Sequence, residues 1–231
     1  MYDIVFISYK ELNAEDNWKI LDDRFHGRTR RLHGVTGIHR AHWVAAQTVN
    51  TEMFYVVDGD AIVLPEFNFD YAVPSDQLNH VFVFRAQNPI NDLVYGYGAV
   101  KLLPTASVLS IDLSNIKPDM TSSLPNSAYH VVNQLSNITA FATDPFNTWR
   151  SAFRECAKLS SKIIDNQITS DTDMRLNAWC RLGNDRLHGR WAIKGARAGK
   201  AFGMANKTTP AALMMINDMD WMLAKFKEER L

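Results

Sequence analysis

The chain has 231 residues, of which 46% are hydrophobic and 22% charged, and its formal net charge at pH 7 is zero. This is the composition of an ordinary globular protein, and the neutral charge argues against a protein that binds mainly through contacts with phosphate. No run of about 18 apolar residues occurs, and the first residues enter a strand directly, so neither a membrane span nor a signal peptide is expected. The two cysteines are too few for a disulfide framework, and we expect a reducing, cytoplasmic setting.

Charge is distributed unevenly along this neutral chain. Residues 181–207 carry seven basic side chains and one acid, Asp185, whereas residues 58–76 carry five acids and no lysine or arginine. A basic segment and an acidic segment in one small domain suggest a phosphate ligand bridged by a metal ion. The alternative is that both segments are solvated surface.

The first part of the chain alternates between strand and helix patterns. Its apolar runs are of the kind expected for buried strands, and Asn13 is a suitable N-cap for the first helix. Strand and helix in alternation, with short connections, predict a βαβαβ unit with right-handed crossovers and a parallel sheet. The predicted elements are strand 3–9, helix 13–21, strand 30–35, helix 37–49 and strand 53–57.

The second part of the chain predicts more strands and two helices. Asp144-Pro145 and Thr209-Pro210 each place an N-cap residue before proline, which is typical of a helix start. We therefore expect an α/β fold with a mixed, mainly parallel sheet flanked by helices, in a single domain over residues 1–231 with a C-terminal helical cap. The further strands are predicted at 81–84, 100–103, 107–113 and 137–142.

The strand predicted at 53–57 ends abruptly in Asp58-Gly59-Asp60. In an open α/β sheet, ligands bind beyond the carboxyl ends of the strands. Two carboxylates separated by one glycine suit Mg²⁺ or Mn²⁺, with waters and a diphosphate completing the coordination. The missing side chain of Gly59 is expected to let a ligand come close, and the metal would neutralise charge on a leaving diphosphate.

Residues 33–62, which run from His33-Gly34 through the Asp58-Gly59-Asp60 motif, resemble the donor site of GT-A-fold glycosyltransferases. The segment Tyr95-Gly96-Tyr97-Gly98 resembles the aromatic-glycine loop that lines the sugar and acceptor pocket of that family. Together with residues 88–92, these segments are similar to glycosyltransferase-like proteins of T-even-type tailed phages. The resemblance implies a GT-A-type, Rossmann-like fold, with a nucleotide-sugar donor half at 1–110 and an acceptor half at 111–231. A protein of such a phage would act in the cytoplasm of the infected host cell.

The resemblance also implies roles for individual residues. It assigns Asp58 to the ribose or the metal and Asp60 to direct metal contact, with His188 as the candidate for a further ligand. The basic, glycine-containing stretch 194–200 looks like a mobile lid that closes on the diphosphate. The nucleotide-sugar-binding residues that it implies are Tyr9, His33, Gly34, Arg40, Asp58, Gly98 and Lys194.

An inverting glycosyltransferase needs a general base near the acceptor hydroxyl. Asp144, between a predicted strand and a predicted helix, is the first candidate, and Asp92, just before the aromatic-glycine segment, is the second. A helix N-cap aspartate needs no catalytic role, which is the alternative interpretation of Asp144. A retaining mechanism would need no such base.

Several functions remain open from the sequence. The leading one is metal-dependent transfer of a sugar to a hydroxyl, with a hydroxylated or hydroxymethylated cytosine in phage DNA, flipped out of the duplex, as one acceptor. The alternatives are transfer to a glycan or small molecule, and a non-catalytic nucleic-acid-binding protein in which Asp58 and Asp60 only cap turns. A nucleotidyltransferase is disfavoured because residues 8–12 lack the glycines of a phosphate loop.

Overall fold

The computed structural model describes residues 1–125, 127–162 and 168–229, with Tyr97 described by its backbone alone. The chain packs as two compact units. The sheet unit comprises Met1–Asn88, Val94–Ile116 and Ser123–Ala140, and the helical unit comprises Pro89–Leu93, Lys117–Ser122 and Phe141–Leu231. The single domain expected over 1–231, with its halves at 1–110 and 111–231, stays a prediction.

The sheet unit consists of seven described strands with short helices between them. Its helices are α1 (Ala14–Phe25), α2 (Ile38–Gln47) and α3 (Thr105–Leu109), with a 3-10 turn at Ser75–Gln77. A second 3-10 turn, Thr121–Ser123, includes residues of both units. Its strands are β1 (Asp3–Ser8), β2 (Thr29–His33), β3 (Met53–Asp58), β4 (Ala61–Val63), β5 (Val81–Gln87), β6 (Val94–Pro104) and β7 (Tyr129–Thr139). The predicted strand–helix alternation from β1 to β3 is confirmed.

The sheet is mixed, in the order β2-β1-β3-β6-β5-β7-β4. Of the six strand pairings in the described chain, β1–β2, β1–β3 and β5–β7 are parallel and the other three are antiparallel. The α/β class and the mixed sheet flanked by helices are therefore confirmed, whereas a mainly parallel sheet is not. Two of the antiparallel pairings involve β6, which runs antiparallel to both of its neighbours, and the third joins β4 to β7.

One predicted strand is a helix. Residues 107–113 were expected to be extended, but Thr105–Leu109 form α3 and residues 112–115 form a turn. Val108 and Ile111 are the buried residues of this segment, at 0% and 6% exposure. Their spacing of three matches a helical turn, whereas alternate residues would be buried in a half-buried strand.

The core of the sheet unit fixes β3 in place. Every side chain from Met53 to Val57 has 0% exposure. The Tyr55 ring packs edge-on against Phe69 at a centroid distance of 5.0 Å, and its hydroxyl accepts a hydrogen bond from the Tyr71 amide at 3.2 Å. Burial raises the pKa of the Tyr55 hydroxyl well above its usual range. The end of β3, where Asp58 lies, is thus held by a packed and satisfied interior.

The helical unit begins as the sequence predicts. Asp144 is the N-cap of the first helix, where its carboxylate accepts a hydrogen bond from the Asn147 amide at 2.9 Å, and Pro145 follows at the first helical position. The predicted last helix is divided, because Asp218 caps a separate helix through the amides of Asp220 and Trp221. The helices are α4 (Pro145–Ser161), α5 (Thr169–Arg181), α6 (Gly189–Asn206), α7 (Pro210–Met214) and α8 (Met219–Glu228), with a 3-10 turn at Met215–Asn217.

The prediction of a mobile lid at 194–200 is wrong, because these residues form the middle of the 18-residue helix α6. Gly195, Gly199 and Gly203 face α4 so closely that an added Cβ would lie 2.2, 2.1 and 2.2 Å from atoms of that helix. The glycines therefore allow two helices to approach each other, instead of giving a loop its freedom. None of the described helices combines the length and apolar character needed to cross a membrane.

Candidate functional site

The Asp58-Gly59-Asp60 motif lies at the carboxyl edge of the parallel pair β1 and β3. The register pairs Ile7 of β1 with Asp58, so the loop after β1 and the loop after β3 leave the sheet side by side. The next residue of β1, Ser8, pairs with His33 at the end of β2. We call this group of strand ends, with the residues that follow them, the carboxyl edge.

Asp58 forms an ion pair with Lys101 of β6. The Lys101 Nζ lies 3.1 Å from Asp58 Oδ1 and 3.2 Å from Oδ2, so the ammonium faces both carboxylate oxygens. The Lys101 side chain is 6% exposed and that of Asp58 is 34% exposed. A buried ammonium needs a counter-charge, and this pair also fixes the direction in which Asp58 points. Lys101 was not predicted as a site residue, although a lone lysine within the apolar run Val100–Leu103 was a signal.

Gly59 is packed against the loop that follows β1. A Cβ added there would lie 2.8 Å from Glu11 Oε2 and 2.9 Å from the Ser8 Cβ, so this side of the turn is filled by protein. The expectation that the missing side chain leaves room for a ligand is therefore wrong. Glu11 Oε2 also accepts a hydrogen bond from the Tyr9 amide at 2.6 Å, and Asn17 Nδ2 donates to the Gly59 carbonyl at 3.0 Å. These contacts make the turn rigid and place Glu11, which sequence reasoning missed, beside the motif.

The residues predicted near the nucleotide lie together at this edge. Ser8 Oγ is 2.9 Å from His33 Nδ1, and the Gly34 amide donates to the Ser8 carbonyl at 3.0 Å. The Thr36 hydroxyl donates a hydrogen bond to the Tyr9 hydroxyl at 3.4 Å. Gly34 has a φ of +80° and open space where a side chain would be. The edge thus presents an aromatic ring, an imidazole and accessible backbone next to the carboxylates.

Gly98 and Arg40 are the other residues of the sheet unit that were predicted to bind the nucleotide-sugar. The β3–β6 register pairs Val57 with Val100 and, continued, brings Gly98 level with Gly59. Gly98 has a φ of +85° and open space on its side-chain face, so β6 exposes backbone at the same edge. Arg40 is exposed on α2, and no described contact joins it to the edge residues.

The remaining predicted residues belong to the helical unit. Asp144 uses both carboxylate oxygens on Asn147, from the backbone amide at 2.9 Å and the side-chain amide at 2.5 Å. Asp92, which has a φ of +56°, forms an ion pair with Arg186 at 2.8 Å. His188 precedes α6 with a φ of +57°, and the Lys194 ammonium lies 5.1 Å from the Trp191 ring centroid. Asp144 therefore acts as a helix cap, as the alternative interpretation expected.

The described residues contain no group of three or more His, Cys, Asp or Glu side chains arranged to hold a metal ion. The carboxyl edge nevertheless offers two hard-oxygen side chains two positions apart, Asp58 at the end of β3 and Asp60 in the turn that follows. Mg²⁺ is commonly bound through one or two carboxylates together with substrate phosphates. The donor set therefore fits a metal shared with a bound diphosphate, and does not fit a metal held by protein side chains alone.

Comparison with known protein families gave no match for this chain. Comparison with curated proteins gave no significant match either.

Proposed function

We propose that the chain is a glycosyltransferase that moves a sugar from a nucleotide-diphosphate-sugar to an acceptor hydroxyl. The observation that supports this most is the rigid Asp58-Gly59-Asp60 turn at the carboxyl edge of two parallel strands. Ligands of α/β sheets bind at such edges. The residues beside the turn, Tyr9 and His33, are suited to a nucleotide's base and ribose by stacking and hydrogen bonding.

In this proposal the carboxyl edge binds the donor and orients its diphosphate. Tyr9 contacts the base, and His33 with the open backbone of Gly34 contacts the ribose or the phosphates. Lys101 keeps Asp58 in one rotamer, so that its carboxylate points in a fixed direction. The accessible backbone of Gly98 lies at the sugar side of the same edge. Arg40 remains a proposed contact of the donor, and the role of Lys194, which lies in the helical unit, stays a prediction from the sequence.

Asp58 and Asp60 would hold Mg²⁺ or Mn²⁺ jointly with the donor. His188 lies in the helical unit, and its role as a further ligand stays a prediction from the sequence. When bound, such a cation supplies Lewis-acid stabilisation of the leaving diphosphate. Because the described protein side chains do not form a complete site, we expect metal affinity to depend on the nucleotide.

For an inverting reaction, Asp92 is a better candidate base than Asp144. Both oxygens of Asp144 are occupied by hydrogen bonds from Asn147 at the start of α4, so neither is directed at an acceptor hydroxyl. The Asp92 side chain is 56% exposed and is paired with Arg186 through one oxygen, Oδ2. Oδ1 is therefore the oxygen that could take up a proton from an acceptor hydroxyl.

The acceptor proposed first is a hydroxylated or hydroxymethylated cytosine in DNA. Arg190, Lys194 and Arg197 are exposed on α6 with spacings of four and three, so they form one cationic helix face. Such a face suits the closely spaced phosphates of a nucleic acid better than it suits a neutral glycan. A glycan or small-molecule hydroxyl is the second candidate.

The test is a thermal-shift series with nucleoside diphosphates, each with and without Mn²⁺. A ligand at about 100 times its dissociation constant adds about 2.7 kcal/mol to the stability of the folded state. We expect one nucleotide to stabilise the protein only with Mn²⁺, and Mn²⁺ alone to have no effect. Asp60→Asn should remove this shift and sugar transfer, whereas Asp76→Asn, an exposed acid of the same acidic segment, should leave both unchanged.

Asp58 needs a separate design because it neutralises a buried ammonium. Asp58→Asn alone leaves Lys101 unpaired and could simply unfold the edge. The double variant Asp58→Asn, Lys101→Met removes both charges and should fold, yet fail to bind the nucleotide with Mn²⁺. Wild-type binding in the double variant and in Asp60→Asn would refute the proposed donor site, as would the absence of stabilisation by every nucleotide.

A further inference from the structure

The chain contains two cysteines, and both lie on helices that pack against α6. Cys156 is fully buried on α4, and Cys180 is partly exposed in the last turn of α5. Phe153 and Ala157, on either side of Cys156, lie against Gly199 and Gly203 of α6, and Cys180 lines a pocket with Arg197, Lys200 and Ala201 of the same helix. Two thiols that are 24 positions apart in sequence thus flank the same stretch of α6, and neither cysteine is among the residues of the proposed donor site.

Cys180 opens into a pocket of about 480 Å³ between α5 and α6. The residues that line it include Asn177, Cys180, Arg181, Arg197 and Lys200, and no carboxylate is among the lining residues. Neither Arg181 nor Lys200 forms an ion pair with any residue of the described chain. The pocket therefore gives a small solute access to one sulfur, and its lining is cationic.

The surroundings of Cys180 favour the thiolate. Its position at the carboxyl end of α5 would by itself disfavour a negative charge, but Arg197 Nε donates to the Cys180 carbonyl at 3.0 Å and offsets the helix end. The hydrogen bond from Cys156 outweighs partial burial and, with the charges of Lys200, Arg197 and Arg181, lowers the pKa of Cys180 to about 7.

The surroundings of Cys156, in contrast, favour the protonated thiol. Burial, the hydrogen bond to Cys180 and the negative charges of Cys180 and Glu155 raise the pKa of its thiol well above the usual range, against the opposing charge of Lys200. At neutral pH the pair therefore consists of a reactive thiolate that solvent can reach and a protonated thiol behind it. This is the arrangement of an attacking and a resolving cysteine.

We propose that Cys180 and Cys156 form a redox-active pair that reduces hydroperoxides and closes to a disulfide between α5 and α4. The Cys180 thiolate attacks the terminal peroxide oxygen, the O–O bond breaks, and the alkoxide or hydroxide that leaves takes up a proton. The sulfur is oxidised by two electrons to sulfenic acid and the peroxide is reduced to an alcohol or water. Cys156 sulfur then attacks the Cys180 sulfur, and its proton leaves with the hydroxyl as water. Two external thiols then reduce the disulfide by thiol–disulfide exchange, which restores both cysteines and leaves the external thiols oxidised to a disulfide.

The experiment treats the fully reduced protein at about pH 7 with one equivalent of hydrogen peroxide. Thiols are then counted, and proteolytic peptides are examined by mass spectrometry. We expect both thiols to disappear, and the peptides of Cys156 and Cys180 to be joined with the loss of two hydrogens. In Cys156→Ser, dimedone should trap a sulfenic acid at Cys180. In Cys180→Ser, Cys156 should stay reduced.

A second measurement does not depend on a variant at the buried cysteine. The rate of Cys180 alkylation by iodoacetamide should rise with pH around a midpoint near 7, instead of the value of about 8.5 for an ordinary thiol. Lys200→Met should move this midpoint upward and slow the reaction with peroxide several-fold. Lys207→Met, at the end of the same helix, should do neither.

Two results would overturn the inference. One is an ordinary midpoint for Cys180 that Lys200→Met does not change. The other is treatment with peroxide that yields only disulfides between molecules, or no loss of thiols. Both are independent of nucleotide binding, so failure of the redox pair and failure of the proposed donor site can be told apart.

Discussion

At the scale of single residues, the ion pair between Asp119 and Lys158 fastens the segment Lys117–Ser122 to α4. Lys158 Nζ lies 2.8 Å from Asp119 Oδ2, and the amide and hydroxyl of Thr121 also donate to the Asp119 carboxylate. The side chains of the pair are 11% and 18% exposed. Burial would raise the pKa of Asp119, but the charge of Lys158 and these hydrogen bonds outweigh it and hold that pKa well below its usual range.

We therefore predict that Asp119→Asn lowers the free energy of unfolding by about 3 kcal/mol at neutral pH, since it leaves a largely buried ammonium unpaired. The carboxylate stabilises the folded state above its unfolded pKa of about 3.9, and this contribution is lost as the pH falls through the lower folded value. Urea unfolding as a function of pH checks both claims. The wild type and the variant should converge in acid.

The control for this variant is Asp112→Asn. Asp112 is an exposed aspartate whose carboxylate accepts hydrogen bonds from the Ser114 amide and hydroxyl in a surface turn. Its replacement should change the unfolding free energy far less, because solvent screens the site and no buried charge is left behind. Equal losses in the two variants would mean that the Asp119–Lys158 pair has no special role in stability.

The same scale shows why only part of the candidate site could be predicted. The Asp58-Gly59-Asp60 motif was found because it follows an apolar strand directly, and this is a local signal. Lys101 and Glu11 were missed because their roles depend on which strand lies beside β3 and on how the loop after β1 folds back. Those are contacts between residues 43 and 48 positions apart in sequence, which no local pattern encodes.

At the scale of elements, the packing of α4 against α6 depends on the three glycines Gly195, Gly199 and Gly203. In an exposed helix, replacing glycine with alanine stabilises by about 1 kcal/mol. Here an added Cβ at Gly199 would lie 2.1 Å from the Phe153 carbonyl oxygen, which is backbone and cannot rotate away. We predict that Gly199→Ala instead destabilises the fold, by about 1–3 kcal/mol, because the helices must move apart.

Thermal and urea unfolding show directly whether Gly199→Ala stabilises or destabilises the protein. Met204→Ala, on the exposed side of the same helix at 57% exposure, serves as the control and should change stability by less than about 0.5 kcal/mol. A stabilised Gly199→Ala would contradict the close approach of the helices. The outcome matters because the sign differs from what helix propensity alone predicts.

The same glycines explain why a lid was predicted at 194–200. A basic stretch that contains several glycines is typical of a mobile loop that binds phosphate. Gly195, Gly199 and Gly203, however, recur every four residues, which is a helical period. The helix starts at 144–145 and 209–210 were found because a capping residue followed by proline is a local signal. The break at Asp218 depends on a second cap inside an otherwise apolar helical pattern, and it was missed.

At the scale of the whole molecule, the order of strands could not be read from the first half of the chain. The β1–β3 unit fixes a parallel edge, but whether the next strand joins it in parallel depends on the long connection between β3 and β6. That connection contains β4 and β5, and β6 returns antiparallel between β3 and β5. The α/β class was therefore predictable from the alternation of strands and helices, whereas the mixture of parallel and antiparallel strands was not.

Net charge at the same scale bears on the acceptor. The chain is neutral overall, so long-range attraction to DNA has to come from the local positive charge of residues 181–207. The cationic face of α6, formed by Arg190, Lys194 and Arg197, is the exposed part of that segment on one helix. If this face contacts phosphates, binding to duplex DNA will weaken with salt in proportion to the number of contacts.

We predict that replacing Arg190, Lys194 and Arg197 with alanine makes the slope of log affinity against log salt shallower, by roughly one for each phosphate that α6 no longer neutralises. Fluorescence anisotropy with labelled duplexes at several salt concentrations measures this slope. The double variant Lys225→Ala, Lys227→Ala on α8 removes charge elsewhere and should leave it unchanged. An equal slope in the wild type, the triple variant and the double variant would exclude α6 as the DNA-binding face. A glycan or small-molecule acceptor would then become the better proposal, since neither requires a row of cations.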